Sequence, residues 1–131
     1  MSPRSRSHPT ELELAILKTL WQRAPQTVEG VRTALAAAGR ELTYSSVITM
    51  LNIMVRKKYL TRKKVGRAFE FTPRVAEQSV HRKMLSDLVH RVFDGSVATV
   101  MLELLSAENV DSAELREIRK LIDQKAREQK S

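Results

Sequence analysis

The sequence contains no cysteine. That absence excludes a disulfide framework, a thiolate metal site and a cysteine nucleophile. No apolar run approaches the roughly 18 residues of a membrane span, and no signal-peptide core follows the start. A cytoplasmic protein with no membrane insertion is therefore expected. G-x-S-x-G, a P-loop and a paired-carboxylate setting are also missing. Of the three histidines, His81 and His90 lie nine residues apart, on opposite faces of one expected helix. They cannot chelate one ion as an i, i+4 pair can, so surface or interface positions suit them, and neither metal nor cofactor is expected. Met50, Met54, Met84 and Met101 fall on apolar faces as core filler. An enzyme is not expected, and no residue is assigned a catalytic role.

Acidic residues are the other shortage. Asp and Glu number 15 against 23 Lys and Arg, a net charge of +8 over 131 residues. The length suits one domain, or a small domain with an appendage. The excess positive charge points to an anionic partner, most simply nucleic acid. Its placement says more. Residues 1–74 hold 14 basic and 5 acidic residues, a net of +9, whereas residues 75–131 hold 9 and 10, a net of −1. Within 56–74 there are eight basic residues against the single acid Glu70. The expected organisation is a basic arm (1–9), a nucleic-acid-binding domain (10–74) and a helical assembly domain (75–131).

Along the chain, residues 1–9 lack apolar periodicity and read as a disordered arm; Arg4 and Arg6 could touch a minor groove or belong to a merely solvated tail. Thr10-x-x-Glu13 is a capping box for a helix to about Arg23, with Leu12, Ala15, Ile16 and Leu20 on one face. Leu14 and Trp21 lie on the other side, so this helix is expected to be covered twice. Thr27 caps a second helix over Val28–Ala38, with Val28, Val31 and Leu35 inward, ended by Gly39. Glu41-Leu42 fits a very short strand.

Thr43 caps a third helix, Tyr44–Lys57. Val47, Met50, Leu51 and Met54 form its core face. Ser45, Thr49, Asn52 and Arg56 lie opposite, with Ser46 and Ile53 on the flanks. An ordinary solvated face would more often carry Glu and Lys; short hydroxyls and an Asn let a helix approach base edges and still offer donors and acceptors. Tyr59–Lys64 and Ala68–Thr72 read as strands of a hairpin turned at Gly66, with Phe69 and Phe71 on one face and Arg62, Lys63, Lys64 and Arg67 at the tip. An exposed hairpin kept soluble by Lys is the plainer reading of this finger.

Three helices followed by such a hairpin is the winged helix-turn-helix order, in which the third helix enters the major groove and the hairpin lies along the backbone. The fold class expected is mostly α with a small β-hairpin wing, followed by a C-terminal helical dimerisation domain. Thr72-Pro73 reads as the start of a long fourth helix to Phe93, Asp94-Gly95-Ser96 as a break, Val97–Leu105 as a short apolar helix, and Asp111-x-x-Glu114 as the cap of a last helix that frays beyond Ile122. The apolar stripes of the second half are wide for about 57 residues. A homodimer would bury them, with Met84, Leu88, Val92, Val97, Val100, Met101, Leu104, Leu115, Ile118 and Ile122 at the interface; an autonomous three-helix bundle on a monomer is the plainer alternative. Two-fold symmetry also matches a palindromic double-stranded operator.

The run Leu42 to Leu51 resembles the recognition helix of the BlaI/MecI-type penicillinase-repressor family. Gly66-Arg67-Ala68-Phe69 with Phe71, Thr72 and Pro73 is similar to that family's wing, and Glu11-Leu12-Glu13 through Trp21 to its first helix. Asp94-Gly95-Ser96 and Glu114–Ile122 resemble its dimerisation helices. The similarity spans about residues 8–124. It implies a homodimeric winged-helix repressor of β-lactam-resistance or other stress operons, with Thr43, Ser45, Ser46 and Thr49 at the DNA and Gly66 and Arg67 at the wing tip. It also implies a membrane-bound sensor peptidase as partner, with a cleavage site aligned near Glu103-Leu104, where the Asn-Phe pair of well-known members is missing. Ile53 and Lys58 stand where members often carry Arg and Gly. A copper-responsive branch uses Cys-x-Cys, which this chain lacks.

The repressor reading assigns Ser45, Ser46, Thr49 and Asn52 to base edges and Arg56, Arg62, Lys63, Lys64 and Arg67 to the DNA-binding surface. A different class, a winged-helix adaptor gripping an acidic protein partner, fits the same basic wing. Direct sensing of a small ligand would need a polar pocket, which the sequence does not reveal.

Overall fold

A computed structural model describes residues 8–130, which form two compact units, one ending at Ser86 and the other starting at Asp87. The basic arm expected at the start lies, through residue 7, outside the described residues. In the first unit, α1 (Glu11–Gln22) begins at the expected capping box. The Thr10 hydroxyl accepts from the Glu13 backbone N–H at 3.2 Å, and Glu13 Oε1 accepts from the Thr10 N–H at 2.9 Å. The end of α1 is held by Gln26, whose Nε2 donates to the Arg23 carbonyl at 2.7 Å. Thr27 then caps α2 (Val28–Ala37). Gly39 takes φ +93°, and Arg40 N–H reaches the Leu35 carbonyl at 2.8 Å, which closes α2 in a Schellman turn.

Thr43 caps α3 (Tyr44–Arg56), its hydroxyl accepting from Ser46 N–H at 3.1 Å. The same kind of turn ends this helix, with Tyr59 N–H on the Met54 carbonyl. Lys58 occupies the left-handed position at φ +70°. The turn thus forms without glycine, and Lys58 carries the steric cost that a side chain meets there.

The sheet has three antiparallel strands in the order β1-β3-β2: β1 (Gln26–Thr27), β2 (Leu60–Val65) and β3 (Ala68–Pro73). Glu41-Leu42 is not a strand; the third strand is instead Gln26–Thr27, paired with Phe71 and Glu70. Thr72-Pro73 does not open the fourth helix either. Pro73 pairs with Leu60 as the last residue of β3, and α4 (Glu77–Val92) starts four residues later. The residue before proline favours extended backbone, so Thr72 continues the strand, and Pro73 follows where no further partner is needed.

The core of this unit is Ile16, Leu17 and Leu20 of α1, Val28, Val31 and Leu35 of α2, Val47, Leu51 and Met54 of α3, and Leu60 and Phe71 of the sheet. Met50, expected inward, is half-buried at its edge. The second cover of α1 is the approach to α4: Trp21 Nε1 donates to the Val75 carbonyl at 3.0 Å, and the His81 ring stands edge-on to the indole at 6.0 Å.

In the second unit, Asp94 and Gly95 take φ +52° and +84° and separate α4 from α5 (Val97–Ala107), which Ser96 caps. Asp111 Oδ1 accepts from Glu114 N–H at 2.8 Å to start α6 (Ser112–Lys130). The expected fraying beyond Ile122 does not occur. Lys, Ala, Arg, Glu and Gln are strong helix formers and continue α6 to Lys130. No helix among the described residues is long and apolar enough to cross a membrane.

Candidate nucleic-acid interface

Burying Val47, Leu51 and Met54 turns the opposite stripe of α3 outward. Ser45, Thr49 and Arg56 are exposed and Asn52 is half-buried, with Ser46 exposed and Ile53 half-buried beside them. The N-terminus of this helix is a hydroxyl cluster: Thr43 Oγ1 lies 3.0 Å from Ser46 Oγ and 3.3 Å from Ser45 Oγ. Next to it stands Tyr44, 51% exposed, a position that the polar-stripe pattern passes over because the ring sits in the first turn, off the stripe.

The hairpin follows at once. Gly66 takes φ +64°, which a two-residue connection between Val65 and Ala68 needs and a Cβ would oppose. Register divides the basic residues between two faces. Arg62 and Lys64 pair with Phe71 and Phe69 and share their face, whereas Lys63 pairs with Glu70 on the other. The finger read from sequence as one positive tip is thus two-sided. Its α3 side carries Arg62, which reaches α3: an Arg62 N–H donates to Asn52 Oδ1 at 2.7 Å, and the guanidinium sits 4.4 Å from the centre of the Phe69 ring.

One of the basic residues of 56–74 is committed elsewhere. Lys57, the C-cap of α3, places Nζ 2.7 Å from Oε2 of Glu13, a carboxylate 1% exposed. Burial pushes the Glu13 carboxyl up, but the Lys57 hydrogen bond, the Thr10 backbone N–H and the Lys57 charge together bring it below the ordinary value. Burial, and secondarily the nearby Glu13 charge, raise the Tyr59 phenol. The ion pair joins the first turn of α1 to the C-cap of α3 across 44 residues, and so ties the helix that carries the outward stripe to α1. Sequence reading spends Glu13 on its cap and misses the second oxygen. The only signal available was an acid placed next to a buried face.

Three packed helices, the third with a short polar outer stripe, followed by a basic hairpin define a winged helix-turn-helix protein. The profile of the penicillinase repressor family matches residues 9–124. The chain belongs to that family, and it is a transcriptional repressor of the BlaI/MecI type rather than an enzyme. It is 28% identical to the transcriptional regulator BlaI of Mycobacterium tuberculosis over 106 residues, 79% of this chain and 76% of that one. It is 18% identical to the methicillin resistance regulatory protein MecI of Mammaliicoccus sciuri over 113 residues, covering 86% and 91%. Among solved structures, a complex of hsRosR-S4 superposes with a TM-score of 0.50 over 94% of each chain at 14% identity, a likeness of fold.

Proposed function

We propose that the protein is a homodimeric, cytoplasmic repressor that reads a palindromic double-stranded operator of a β-lactam-resistance or other stress-response operon. The helix 44–57 reads the major groove, the wing 60–72 grips the backbone, and residues 75–131 pair with a second copy. The observation that carries this reading is the outward-facing Ser45–Thr49–Asn52–Arg56 stripe lying beside the basic hairpin and bonded to it through Arg62. Thr43, Ser45, Ser46, Thr49 and Asn52 serve base edges or the adjacent phosphates; Arg56, Lys63, Lys64 and Arg67 serve phosphates.

Pairing is supported by apolar side chains with no cover in the single chain. Val92, Val97 and Ile122 are each more than half exposed, and Leu88, Leu104 and Leu115 nearly so, while Met84, Met101 and Ile118 are half-buried and Val100 is buried. Monomeric proteins rarely leave so many large apolar side chains exposed on neighbouring turns of their helices. Glu103 and Leu104 are exposed, but they sit inside α5. A sensor peptidase acting there would first have to unwind that helix, because a protease takes an extended segment.

Footprinting and mobility shift on the protein's own promoter and neighbouring operons test the reading. A repressor keeps a tight, sequence-dependent fraction at physiological salt; an adaptor for an acidic protein would show only weak, wholly salt-sensitive binding. Arg67→Ala is expected to weaken binding to all sequences and lower the salt slope by about one unit. A changed base preference at an unchanged slope would remove Arg67 from the backbone. Asn52→Ala is expected to cost about 1–3 kcal/mol on the operator and little on random DNA; equal losses on both would show that Asn52 reads nothing.

A further inference from the structure

Arg62 and Asn52 lie ten residues apart, on β2 and α3, and meet on the α3 side of the hairpin. The Phe69 ring lies under the guanidinium, 4.4 Å from its centre, and restrains it. A guanidinium carries five N–H donors and no acceptor. Whatever carboxamide faces it must turn its oxygen inward, and the Asn52 Oδ1 does so at 2.7 Å. The amide NH2 is then aimed away from Arg62.

We propose that Arg62 both turns Asn52 into a donor toward DNA and donates beside it, so that the pair reads a guanine in each operator half-site. The inference rests on the operator-reading function proposed above. An unrestrained Asn reads adenine with both ends, its oxygen accepting from N6 and its NH2 donating to N7. Here the oxygen is turned toward a charged donor, the stronger kind of hydrogen bond, so the adenine pairing is weakened at its acceptor half. What remains for DNA is a set of donors: the Asn52 NH2 and the outward N–H groups of Arg62. Cytosine presents an amino donor in the major groove, and thymine presents one acceptor beside a methyl group. Only guanine presents two neighbouring acceptors, O6 and N7, to match two donors. Arg62 therefore acts on base choice, unlike the phosphate contacts of Lys63, Lys64 and Arg67.

The test uses operator duplexes carrying G·C, A·T or 7-deazaguanine at the position where Asn52→Ala abolishes discrimination. Wild type and Arg62→Met are titrated at two salt concentrations. Met keeps an apolar stem over Phe69 and removes every donor. Wild type is expected to prefer guanine over adenine by about tenfold and to lose most of that preference with 7-deazaguanine. In Arg62→Met the preference falls to parity or turns toward adenine, because the carboxamide is free to rotate. In the DNA-free protein the Asn52 side-chain amide resonances shift in Arg62→Met while the backbone resonances of α3 hold, which shows an intact fold. A loss of equal size on guanine and adenine duplexes, with the salt slope lower by about one, makes Arg62 a phosphate contact and overturns the inference. So does a wild-type preference for adenine there, or the absence of any position governed by Asn52. Wild type that fails to distinguish operator from random DNA overturns the repressor reading itself, and that result is read before any variant is compared.

Discussion

Glu13→Ala is expected to destabilise the first unit by about 3 kcal/mol, a large part of what a domain of this size has to lose. Three losses coincide at one side chain. The Thr10 backbone N–H loses the oxygen that closes the capping box. A buried volume is vacated beside Ile16 and Leu17, which are themselves fully buried. Lys57 loses its partner, although its side chain is 31% exposed and recovers some hydration; the cost therefore falls toward the lower end of the range for broken buried pairs. Glu13→Gln keeps a capping oxygen and a neutral acceptor for Lys57 and should cost about 1–2 kcal/mol. The two proteins also differ in acid. The folded carboxyl titrates below its ordinary value of 4.5, so as pH falls the unfolded chain takes up the proton first. The pair's contribution is complete above that ordinary value and disappears as pH falls through the lower folded value. Denaturant midpoints between pH 7 and pH 3 should therefore fall more steeply for wild type than for Glu13→Gln. Parallel acid limbs would mean that the pair contributes nothing through charge.

What the sequence discloses about this fold, and what it conceals, divides by the range of the interaction. Thr10, Thr27, Thr43, Ser96 and Asp111 announce five helix starts because a cap is closed within three residues, between one hydroxyl or carboxylate and one nearby N–H. Gly39 and Gly66 announce two turns because the left-handed conformation is written into the residue type. The outward stripe of α3 is legible for a related reason: helical period fixes it once Val47, Leu51 and Met54 are taken as core. The errors lie where distant partners decide. Pro73 satisfies the local rule for a helix start, yet Leu60 holds it in the sheet. Gln26 and Thr27 carry no strand pattern and become one because Phe71 and Glu70 lie beside them. Asn52 reads equally well as a two-ended reader of adenine until Arg62, on another element, takes its oxygen. Of the candidate site, then, the outward face of α3 and the basic hairpin were legible, whereas the couplings Glu13–Lys57 and Asn52–Arg62 were not.

Dissociating the proposed dimer should have the largest effect on function. Leu104→Glu is the variant to make. Leu104 is 49% exposed in the single chain and lies well inside α5, so a carboxylate there meets water in a lone protomer and costs little. In a paired apolar face the same charge would be buried without a partner, a penalty of several kcal/mol counted once from each protomer of a symmetric interface. Sedimentation should then show a monomer, and circular dichroism an unchanged helix content. Operator affinity should fall by about 10²–10⁴-fold, because two half-sites are no longer bound by one tethered particle and the gain in effective concentration is lost. Binding to an isolated half-site should stay as it was, since α3 and the wing belong to the other unit. The division of charge favours such pairing. The second half carries a net of −1 against +9 in the first, so two copies can approach through it without the repulsion that two strongly basic faces would impose. In the proposed dimer the apolar stripes of α5 and α6 would supply attraction where the field is weakest. If Leu104→Glu remains dimeric at micromolar concentration, the interface lies elsewhere. If it becomes monomeric and still binds the full operator at wild-type affinity, pairing is not how this repressor holds its operator.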